Sequence, residues 1–306
     1  MTSSISLKSA AKINLYLEIT GNRPDGYHEL VMVLQTIDLC DRLDLRTISS
    51  DAIHISCDND RVPTDETNLA FKAARLMQQN YPGLGGVEIA IAKQVPMGAG
   101  LAGGSGNAAA VLVGLDRLWD LGLTQSELCD LAAQLGSDIP FCVAGGTALA
   151  IGRGEVLSPL PDLQNLALAI CKPRDLSIST VWAYQTFRSQ GLLATSPVRE
   201  QHNSSQMLAA IAARDETTPT RVGRLLYNDL ERVVLPAHPR IATLKAFLQQ
   251  QECLGVLMSG SGSTVFAIAQ DLGQAERIAA SLQADADNSD LDIWVTTSLI
   301  GGVLDV

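Results

Sequence analysis

The sequence has few aromatic residues, no excess of basic residues and no long uninterrupted apolar segment. Aromatic side chains make up 4% of the 306 residues, and 22 basic against 33 acidic residues give a net charge of −11. Binding to nucleic acid or to an anionic membrane requires a basic face, so this balance argues against both partners. It permits an anionic small ligand, because a phosphate site needs only local N–H groups and one or two cations.

The cysteines and histidines lack the spacings that indicate disulfides or a metal site. The 6 cysteines are scattered without a C-x-x-C, which in a long chain without a secretory signal predicts free thiols in a reducing compartment. The 4 histidines form neither H-x-x-H nor H-E-x-x-H. The longest candidate membrane span, residues 254–270, is interrupted by SGSGST. We therefore expect a soluble cytoplasmic protein.

The length and composition favour a folded chain of two domains. At roughly 150 residues per domain, a chain of this length corresponds to about two. Hydrophobic residues make up 46% and charged residues 18%, close to the averages of globular proteins. Pro159 and Pro161 indicate a boundary near residue 157, which gives domains 1–157 and 158–306. Strands and helices mix without strict β-α-β alternation, so the expected fold class is α+β.

Hydrophobic periodicity and turn residues predict the individual elements. In the first domain, strands are predicted over residues 6–20, 30–39, 41–48, 52–57, 86–92 and 143–151, and helices over 68–81, 107–121 and 124–135. Thr67 is the expected cap of the first helix, and Thr124 with Glu127 forms a capping box. In the second domain, strands are predicted over residues 166–171, 255–258, 264–269 and 292–299, and helices over 178–188, 205–214, 229–235, 241–251 and 274–282. Residues 21–29 and 136–140 are predicted as tight loops, and the polar segment 189–219 as a surface excursion.

A glycine-rich loop, PMGAGLAGGSG at residues 96–106, lies between a predicted strand and a strong helix. Gly100, Gly103 and Gly104 remove Cβ atoms where a backbone would approach an anion closely. The helix that follows directs its unpaired N–H groups and the positive end of its dipole to the same point. Ser105 adds a hydroxyl for a phosphate oxygen or a metal ion. We favour a phosphate-binding loop over a plain flexible turn.

The sequence around this loop argues against three common phosphate motifs. No lysine follows the glycines, so the loop is not a Walker A motif. Gly98, Gly100 and Gly103 match G-x-G-x-x-G, but helices follow where the dinucleotide fold needs a second parallel strand. Neither H-R-D nor D-F-G follows, which argues against a protein kinase.

The segment PMGAGLAGGSGNAAA resembles the central motif of the GHMP kinases, named for galacto-, homoserine, mevalonate and phosphomevalonate kinases. Residues 9–30 (SAAKINLYLEITGNRPDGYHEL) and 257–268 (LMSGSGSTVFAI) resemble the other two motifs of the family. K-I-N-L followed by R-x-D-G-Y-H is similar to the signature of the family branch that acts on cytidyl-diphospho-methylerythritol. The segments LGSDIPF and NDLE fit the same branch. The resemblance is weakest across residues 189–219. Gly106 replaces a serine that is frequent in the family, and Gln94 replaces a common basic residue.

The resemblance implies a two-domain GHMP kinase fold with the active site in the interdomain cleft, and ATP with Mg²⁺. It implies in-line transfer of the γ-phosphoryl group to the C2 hydroxyl of cytidyl-diphospho-methylerythritol, in the non-mevalonate route to isoprenoid precursors. Asp138 would be the base, and Lys12 would stabilise the developing negative charge. From the residues alone, Asp138 is better explained as a cap or Asx turn, and Lys12 as a strand lysine that needs an anionic partner.

The resemblance also assigns binding residues. The nucleotide side comprises Asn68, Lys93, Pro96, Met97, Gly98, Ala99, Gly100, Leu101, Ala102, Gly103, Gly104, Ser105, Gly106 and Asn107. The substrate side comprises Asn14, Tyr27, His28 and Tyr184, with Tyr27 offering a ring face to the cytosine. By spacing alone, Tyr184 is a helix core residue. The metal ligands are left open, and residues 259–263 (SGSGS) are expected as a turn close to the glycine loop.

Three alternatives remain open at this point. Another GHMP kinase, of the homoserine or mevalonate type, would share the central motif but not R-x-D-G-Y-H. A nucleotide-binding protein without catalytic activity would need neither Lys12 nor Asp138. A dinucleotide-binding protein would use the literal G-x-G-x-x-G match. The expected partner is a small-molecule substrate, and the expected assembly is a monomer or a weak homodimer.

Overall fold

The computed structural model describes residues 3–195 and 204–306, which form two β-sheets and a set of helices. The strands are β1 (Ser4–Asn22), β2 (His28–Ile48), β3 (Ile53–Cys57), β4 (Gly86–Ala92), β5 (Thr147–Gly152), β6 (Val156–Pro159), β7 (Ala167–Pro173), β8 (Tyr227–Asn228), β9 (Gly255–Met258), β10 (Val265–Ile268), β11 (Leu291–Thr297) and β12 (Val303–Asp305). The helices are α1 (Leu69–Asn80), α2 (Gly103–Leu118), α3 (Gln125–Ala133), α4 (Ile139–Ala144), α5 (Thr180–Ser189), α6 (Ser204–Ala213), α7 (Thr218–Arg224), α8 (Glu231–Ala237), α9 (Pro239–Gln249) and α10 (Leu272–Ala284). Short 3₁₀ turns cover Leu192–Thr195 and Ala286–Asn288. The predicted α+β class is confirmed.

The larger sheet is built around the long antiparallel hairpin β1–β2. Its main strand order is β12-β1-β2-β4-β3. β5 pairs with the first part of β2 and with β6, and the two-residue β8 runs parallel to β1. Leu43 and Ile89 from this sheet share one core with Ala109 and Leu112 of α2, so the helix that follows the glycine loop is anchored on the sheet.

The smaller sheet has the antiparallel order β11-β7-β10-β9. A second core joins the two sheets: Ile13 of β1 and Val33 of β2 share a buried cluster with Ile170 of β7 and Phe266 of β10. The middle of the β1–β2 hairpin is therefore packed between the two halves of the molecule. A cleft opens on the other face of this part of β1.

A bulge in β1 moves the apolar side chains from one face of the strand to the other. Ile13 and Leu15 lie in the core between the sheets, whereas Leu17 and Ile19 lie in a different core. The register opposite β2 shifts between Asn14 and Tyr16, which inserts one residue. Because successive side chains alternate, this one-residue insertion reverses the buried face.

Two predictions for the first half are wrong in part. The strands predicted over residues 30–39 and 41–48 form the single strand β2, interrupted by a register shift at Asp38 and Leu39. The strand predicted to begin at residue 143 begins at Thr147, because the apolar residues before it form α4. A short apolar run does not distinguish a buried helix from a buried strand by periodicity alone.

Helix ends also differ from their predictions. α2 begins at Gly103 and ends at Leu118, rather than spanning residues 107–121. Asn68 caps α1, because its side chain accepts a hydrogen bond from the Ala70 N–H at 2.8 Å, whereas the hydroxyl of Thr67 donates to Asp65. The predicted capping box of α3 is confirmed. α7, β6, β8 and β12 were not predicted, because each is short and is defined by its packing or pairing partners.

The other predicted elements match the structure to within a few residues. The predicted surface excursion 189–219 lies partly outside the described residues, and its predicted helix corresponds to α6. The domain boundary near residue 157 stays a prediction, as do the cytoplasmic location, the assembly state and the absence of a nucleic-acid partner. Within the described ranges, none of the helices combines the length and the apolar character needed to cross a membrane.

Candidate active site

The glycine loop connects β4 to α2, and several of its residues have backbone angles in the left-handed region. Gly98 and Gly100 have φ angles of 58° and 74°, and the non-glycine Ala102 has a φ of 57° immediately before α2. A Cβ on Gly100 would lie 2.0 Å from the carbonyl oxygen of Ser259, so this position requires glycine for both conformation and space. The first turn of α2 then supplies unpaired N–H groups and a positive dipole end, which suit a phosphate group.

The turn at residues 259–263 packs directly on this loop, as its motif predicted. The hydroxyl of Ser259 donates to the carbonyl oxygen of Gly100 at 3.0 Å and accepts from the N–H of Asn14 at 3.4 Å. Asn228, at the start of the NDLE segment, donates through its side-chain amide to the carbonyl oxygens of Met258 and Gly260 at 2.8 and 2.7 Å. The three segments that carry the family motifs therefore meet at one point.

Lys12 and Asp138 face each other across the cleft. The Lys12 ammonium lies 4.0 Å from the Asp138 carboxylate and donates to Asn14 Oδ1 at 2.7 Å. The Lys12 side chain is 6% exposed and that of Asp138 40% exposed. Asp138 occupies the N-cap position of α4, but its side chain makes no capping hydrogen bond within the described structure. The explanation of Asp138 as a helix cap is therefore wrong, and its carboxylate is available to a ligand.

Three aromatic rings line the other end of the cleft. The rings of His28 and Tyr184 lie 5.2 Å apart between centroids at an interplanar angle of 32°. Tyr27 is 53% exposed, and the guanidinium of Arg153 lies 5.1 Å from its ring centroid. Burial, and secondarily the charge of Arg188, lowers the pKa of His28, so its ring is neutral at pH 7.

The polar atoms of two of these rings are buried. No hydrogen-bond partner for Nε2 of His28 occurs among the described residues. Burial raises the pKa of the Tyr184 hydroxyl above its ordinary value. Both residues line the cleft, and a buried nitrogen without a partner calls for an explanation.

The cleft has a volume of about 980 Å³ and joins the glycine loop to the aromatic rings. It is lined by both predicted catalytic residues, all the predicted substrate-side residues and most of the predicted nucleotide-side residues. Leu101 and Gly106 are the exceptions. Leu101 is buried in the core between the sheets, and a Cβ on Gly106 would meet Ser9 Oγ at 2.5 Å. The structure does not place these two residues among those that line the cleft, and their predicted contact with the nucleotide stays a prediction.

Other residues line the cleft without having been predicted. They are Arg153, Thr180, Arg188, Gly260 and Ser261, among others. The hydroxyls of Thr180 and Ser261 lie 2.9 Å apart, which links α5 to the SGSGS turn. Gly260 and Ser261 belong to the motif at residues 257–268, so the sequence indicated them. Nothing local in the sequence distinguishes the two arginines from surface residues.

Comparison with known proteins agrees with this geometry. The model of the GHMP kinases N terminal domain matches residues 68–146, and that of the GHMP kinases C terminal matches residues 207–288, together more than half of the chain. The chain belongs to the GHMP kinase family. It is an ATP-dependent small-molecule kinase, and the two-domain GHMP kinase fold expected from the sequence is confirmed. A dinucleotide-binding or non-catalytic role is thereby excluded.

Several members of this GHMP kinase family are similar over nearly their whole length. A protein of Acaryochloris marina named 4-diphosphocytidyl-2-C-methyl-D-erythritol kinase is 52% identical over 305 residues, which is 97% of each chain. One of Nostoc punctiforme with the same name is 50% identical over 98% of each chain. A solved 4-(cytidine 5'-diphospho)-2C-methyl-D-erythritol kinase superposes with a TM-score of 0.75 at 32% identity, covering 97% of this chain and 99% of that one.

A more distant structure shows how widely the fold is shared. Homoserine kinase from Cytophaga hutchinsonii has a TM-score of 0.76 at 19% identity, covering 99% of this chain and 97% of its own. Identity at this level supports the fold alone. The choice of phosphoryl acceptor must therefore be argued from the cleft and from the more similar relatives.

Proposed function

We propose that this kinase transfers the γ-phosphoryl group of ATP to the C2 hydroxyl of 4-diphosphocytidyl-2-C-methyl-D-erythritol, giving the 2-phosphate and ADP in the non-mevalonate route to isoprenoid precursors. The observation that carries the proposal is the group of Tyr27, His28 and Tyr184 rings in the same cleft as the glycine loop. A pyrimidine base stacks on such rings, and its polar edge pairs with a buried ring nitrogen. The names of the relatives at about half identity point to the same acceptor.

The proposed mechanism needs two charged side chains. Asp138 orients the acceptor hydroxyl and takes its proton, and its 40% exposure on the cleft side allows a ligand to reach it. The Lys12 ammonium is buried, and Asn14 and Asp138 both face it. That charge stabilises the negative charge that develops in transfer. Phosphoryl transfer depends mainly on positioning and electrostatics, so no covalent intermediate is needed.

The nucleotide side of the cleft fits a triphosphate with Mg²⁺. The described residues contain no cluster of three or more histidine, cysteine or carboxylate side chains that would form a metal cage. Mg²⁺ in kinases is usually held by one or two protein oxygens together with phosphate oxygens and water. The Ser105 hydroxyl lines the cleft and would hold the ion together with phosphate oxygens and water, and the bound ion would neutralise phosphate charge.

A substrate panel tests the acceptor. ADP release is measured with cytidyl-diphospho-methylerythritol, homoserine and mevalonate. We expect kcat/KM for the cytidyl compound to exceed the others by at least about 100-fold, since losing a base stack alone costs about 1–3 kcal/mol. Tyr27→Leu is expected to raise the KM of the cytidyl compound about tenfold and to leave the KM of ATP unchanged. A preference for homoserine or mevalonate would refute the assignment.

The role of Asp138 has its own test. Asp138→Asn keeps the shape of the side chain but cannot accept the proton, so we expect kcat to fall about 100-fold or more. Binding of a non-hydrolysable ATP analogue, measured by calorimetry, should stay within a few-fold of the wild type. Turnover close to that of the wild type would mean that Asp138 is not the base.

A further inference from the structure

A second buried ion pair lies beside the nucleotide end of the cleft. Asp41, on β2, is completely buried, and its carboxylate pairs with the ammonium of Lys93, whose side chain is 5% exposed. The other carboxylate oxygen accepts hydrogen bonds from the backbone N–H groups of Gln94 and Val95 at 2.7 and 2.8 Å. Asp41 thus fixes both the lysine and the backbone that leads into the glycine loop.

The position of Asp41 in its strand is unusual for a carboxylate. By strand alternation it shares a face with Leu43, which is completely buried. Desolvating a carboxylate there is costly unless it is paired and hydrogen-bonded. The mechanism proposed above makes no use of this charge, so a different role must account for it.

Lys93 extends from its ion pair with Asp41 toward the cleft. It lines the cleft, and a Cβ on Gly103, the first residue of α2, would lie 2.9 Å from its Nζ atom. An ammonium has three donors, and among the described residues Asp41 is the one hydrogen-bond acceptor that it reaches. The donors that remain lie next to the positive end of α2, where the oxygen atoms of a nucleotide are favoured.

We propose that Asp41 is a positioning residue for ATP: it holds the Lys93 ammonium at the start of α2, where that ammonium binds an oxygen atom of the nucleotide. Asp41 itself is completely buried and touches no ligand. It acts through Lys93, and it keeps the strand-to-loop backbone in place at the same time. The inference rests on ATP use and not on the identity of the phosphoryl acceptor.

A double-mutant cycle on nucleotide binding tests this role. The dissociation constant of a non-hydrolysable ATP analogue is measured by calorimetry without any acceptor, so the result is independent of the proposed substrate. Asp41→Asn keeps an oxygen for the two N–H groups but places an amide donor against the ammonium. We expect Asp41→Asn and Lys93→Met each to raise the dissociation constant at least about tenfold. The double variant should bind the analogue no more weakly than the single variant that binds it more weakly.

Asp290→Asn is the matched control, because it removes an ion pair with Arg240 outside the cleft, and its affinity should match that of the wild type. If the two effects on the dissociation constant instead multiply, or if Asp41→Asn leaves it unchanged, Asp41 does not act through Lys93 and the proposal is wrong. Lys93→Met keeps the test decisive if Asp41→Asn does not fold: unchanged affinity in Lys93→Met refutes the proposal. Lys93→Arg, which keeps the charge, should recover part of the affinity lost in Lys93→Met.

Discussion

At the residue scale, the site depends on two buried ammonium groups that each face a carboxylate. Lys12 faces Asp138, and Lys93 is bound to Asp41, so each buried ammonium has a carboxylate that offsets its desolvation. This arrangement explains how a chain with a net charge of −11 serves a polyphosphate ligand. The positive charge is local and preorganised, whereas the excess of acidic residues acts only on the field at longer range.

The lowered pKa of His28 predicts a pH-dependent stability. Below its ordinary pKa of 6.5, His28 takes up a proton in the unfolded chain, whereas burial and Arg188 keep the folded ring neutral. Unfolding therefore binds a proton, and the free energy of unfolding falls as pH decreases from 6.5 toward the folded pKa. We expect the Tm of the wild type to drop more between pH 7.5 and 5 than that of His28→Gln.

His54→Gln is the matched control for this measurement, because His54 is exposed on β3. Its Tm should follow the wild-type curve across the same range. Parallel curves for wild type and His28→Gln would show that the ring does not titrate differently on folding.

Single functional residues could be predicted where a motif carried them. Lys12, Asp138, Tyr27 and His28 stand in segments that resemble family motifs, and all four line the cleft. Asp41 could not be found in this way, because its contact is with a residue 52 positions away, directly after the neighbouring strand β4.

Two residues of the predicted nucleotide set that do not line the cleft show the converse limit. Leu101 and Gly106 lie inside the glycine motif, but the path of the backbone turns them toward the core and toward Ser9. A motif defines a segment, whereas the local φ angles decide which of its side chains reach a ligand.

At the element scale, the glycine loop supports a test that separates conformation from space. Gly100 and Gly122 both have positive φ angles, 74° and 68°, but nothing lies within 4 Å of a Cβ on Gly122. Gly122→Ala should therefore cost only the left-handed strain, about 1–2 kcal/mol. Gly100→Ala adds the 2.0 Å clash with the Ser259 carbonyl oxygen, so its loss of stability should be at least about twice as large.

Urea unfolding and calorimetry with an ATP analogue compare the two variants. Gly100→Ala is expected to raise the dissociation constant of the analogue at least about tenfold, because the loop must move away from the SGSGS turn. Gly122→Ala should bind it normally. Equal losses of stability and normal binding in both variants would mean that the loop tolerates displacement.

Elements with strong local signals could be predicted well. The Thr124 capping box gives α3 its start, and β4 matches its prediction from the first residue to the last. The start of α2 could not be predicted, because glycines disfavour a helix and only packing on the larger sheet retains them in one. Similarly, α4 forms from an apolar run whose pattern fits a strand equally well.

At the scale of the whole molecule, the second half of the chain completes the first sheet. β12 pairs with the beginning of β1, through partners such as Leu7 and Asp305, and β8 pairs with β1 at Tyr16 and Leu17. No local pattern could predict these pairings, because they join short segments that are separated by most of the chain. Because of these pairings, strands from beyond residue 157 belong to the sheet of the first half.

These pairings predict how separated halves behave. A fragment of residues 1–161 would leave β1 with unpaired backbone groups along one edge, a surface that favours aggregation. We expect this fragment alone to be aggregated or unfolded by circular dichroism and size-exclusion chromatography. Co-expression with residues 162–306 should restore a soluble complex that binds the ATP analogue. A soluble first fragment with native affinity would show that the later strands are dispensable.

The β1–β2 hairpin has a consequence for how the cleft opens and closes. Its ladder runs from Ser4 opposite Arg46 to Asn22 opposite His28, and Lys12 and Asp41 lie on the same ribbon. Bending the molecule between its nucleotide end and its aromatic end would break hydrogen bonds of this ladder. Opening movements therefore belong to α5 and to the turn that carries Tyr27, outside the ladder.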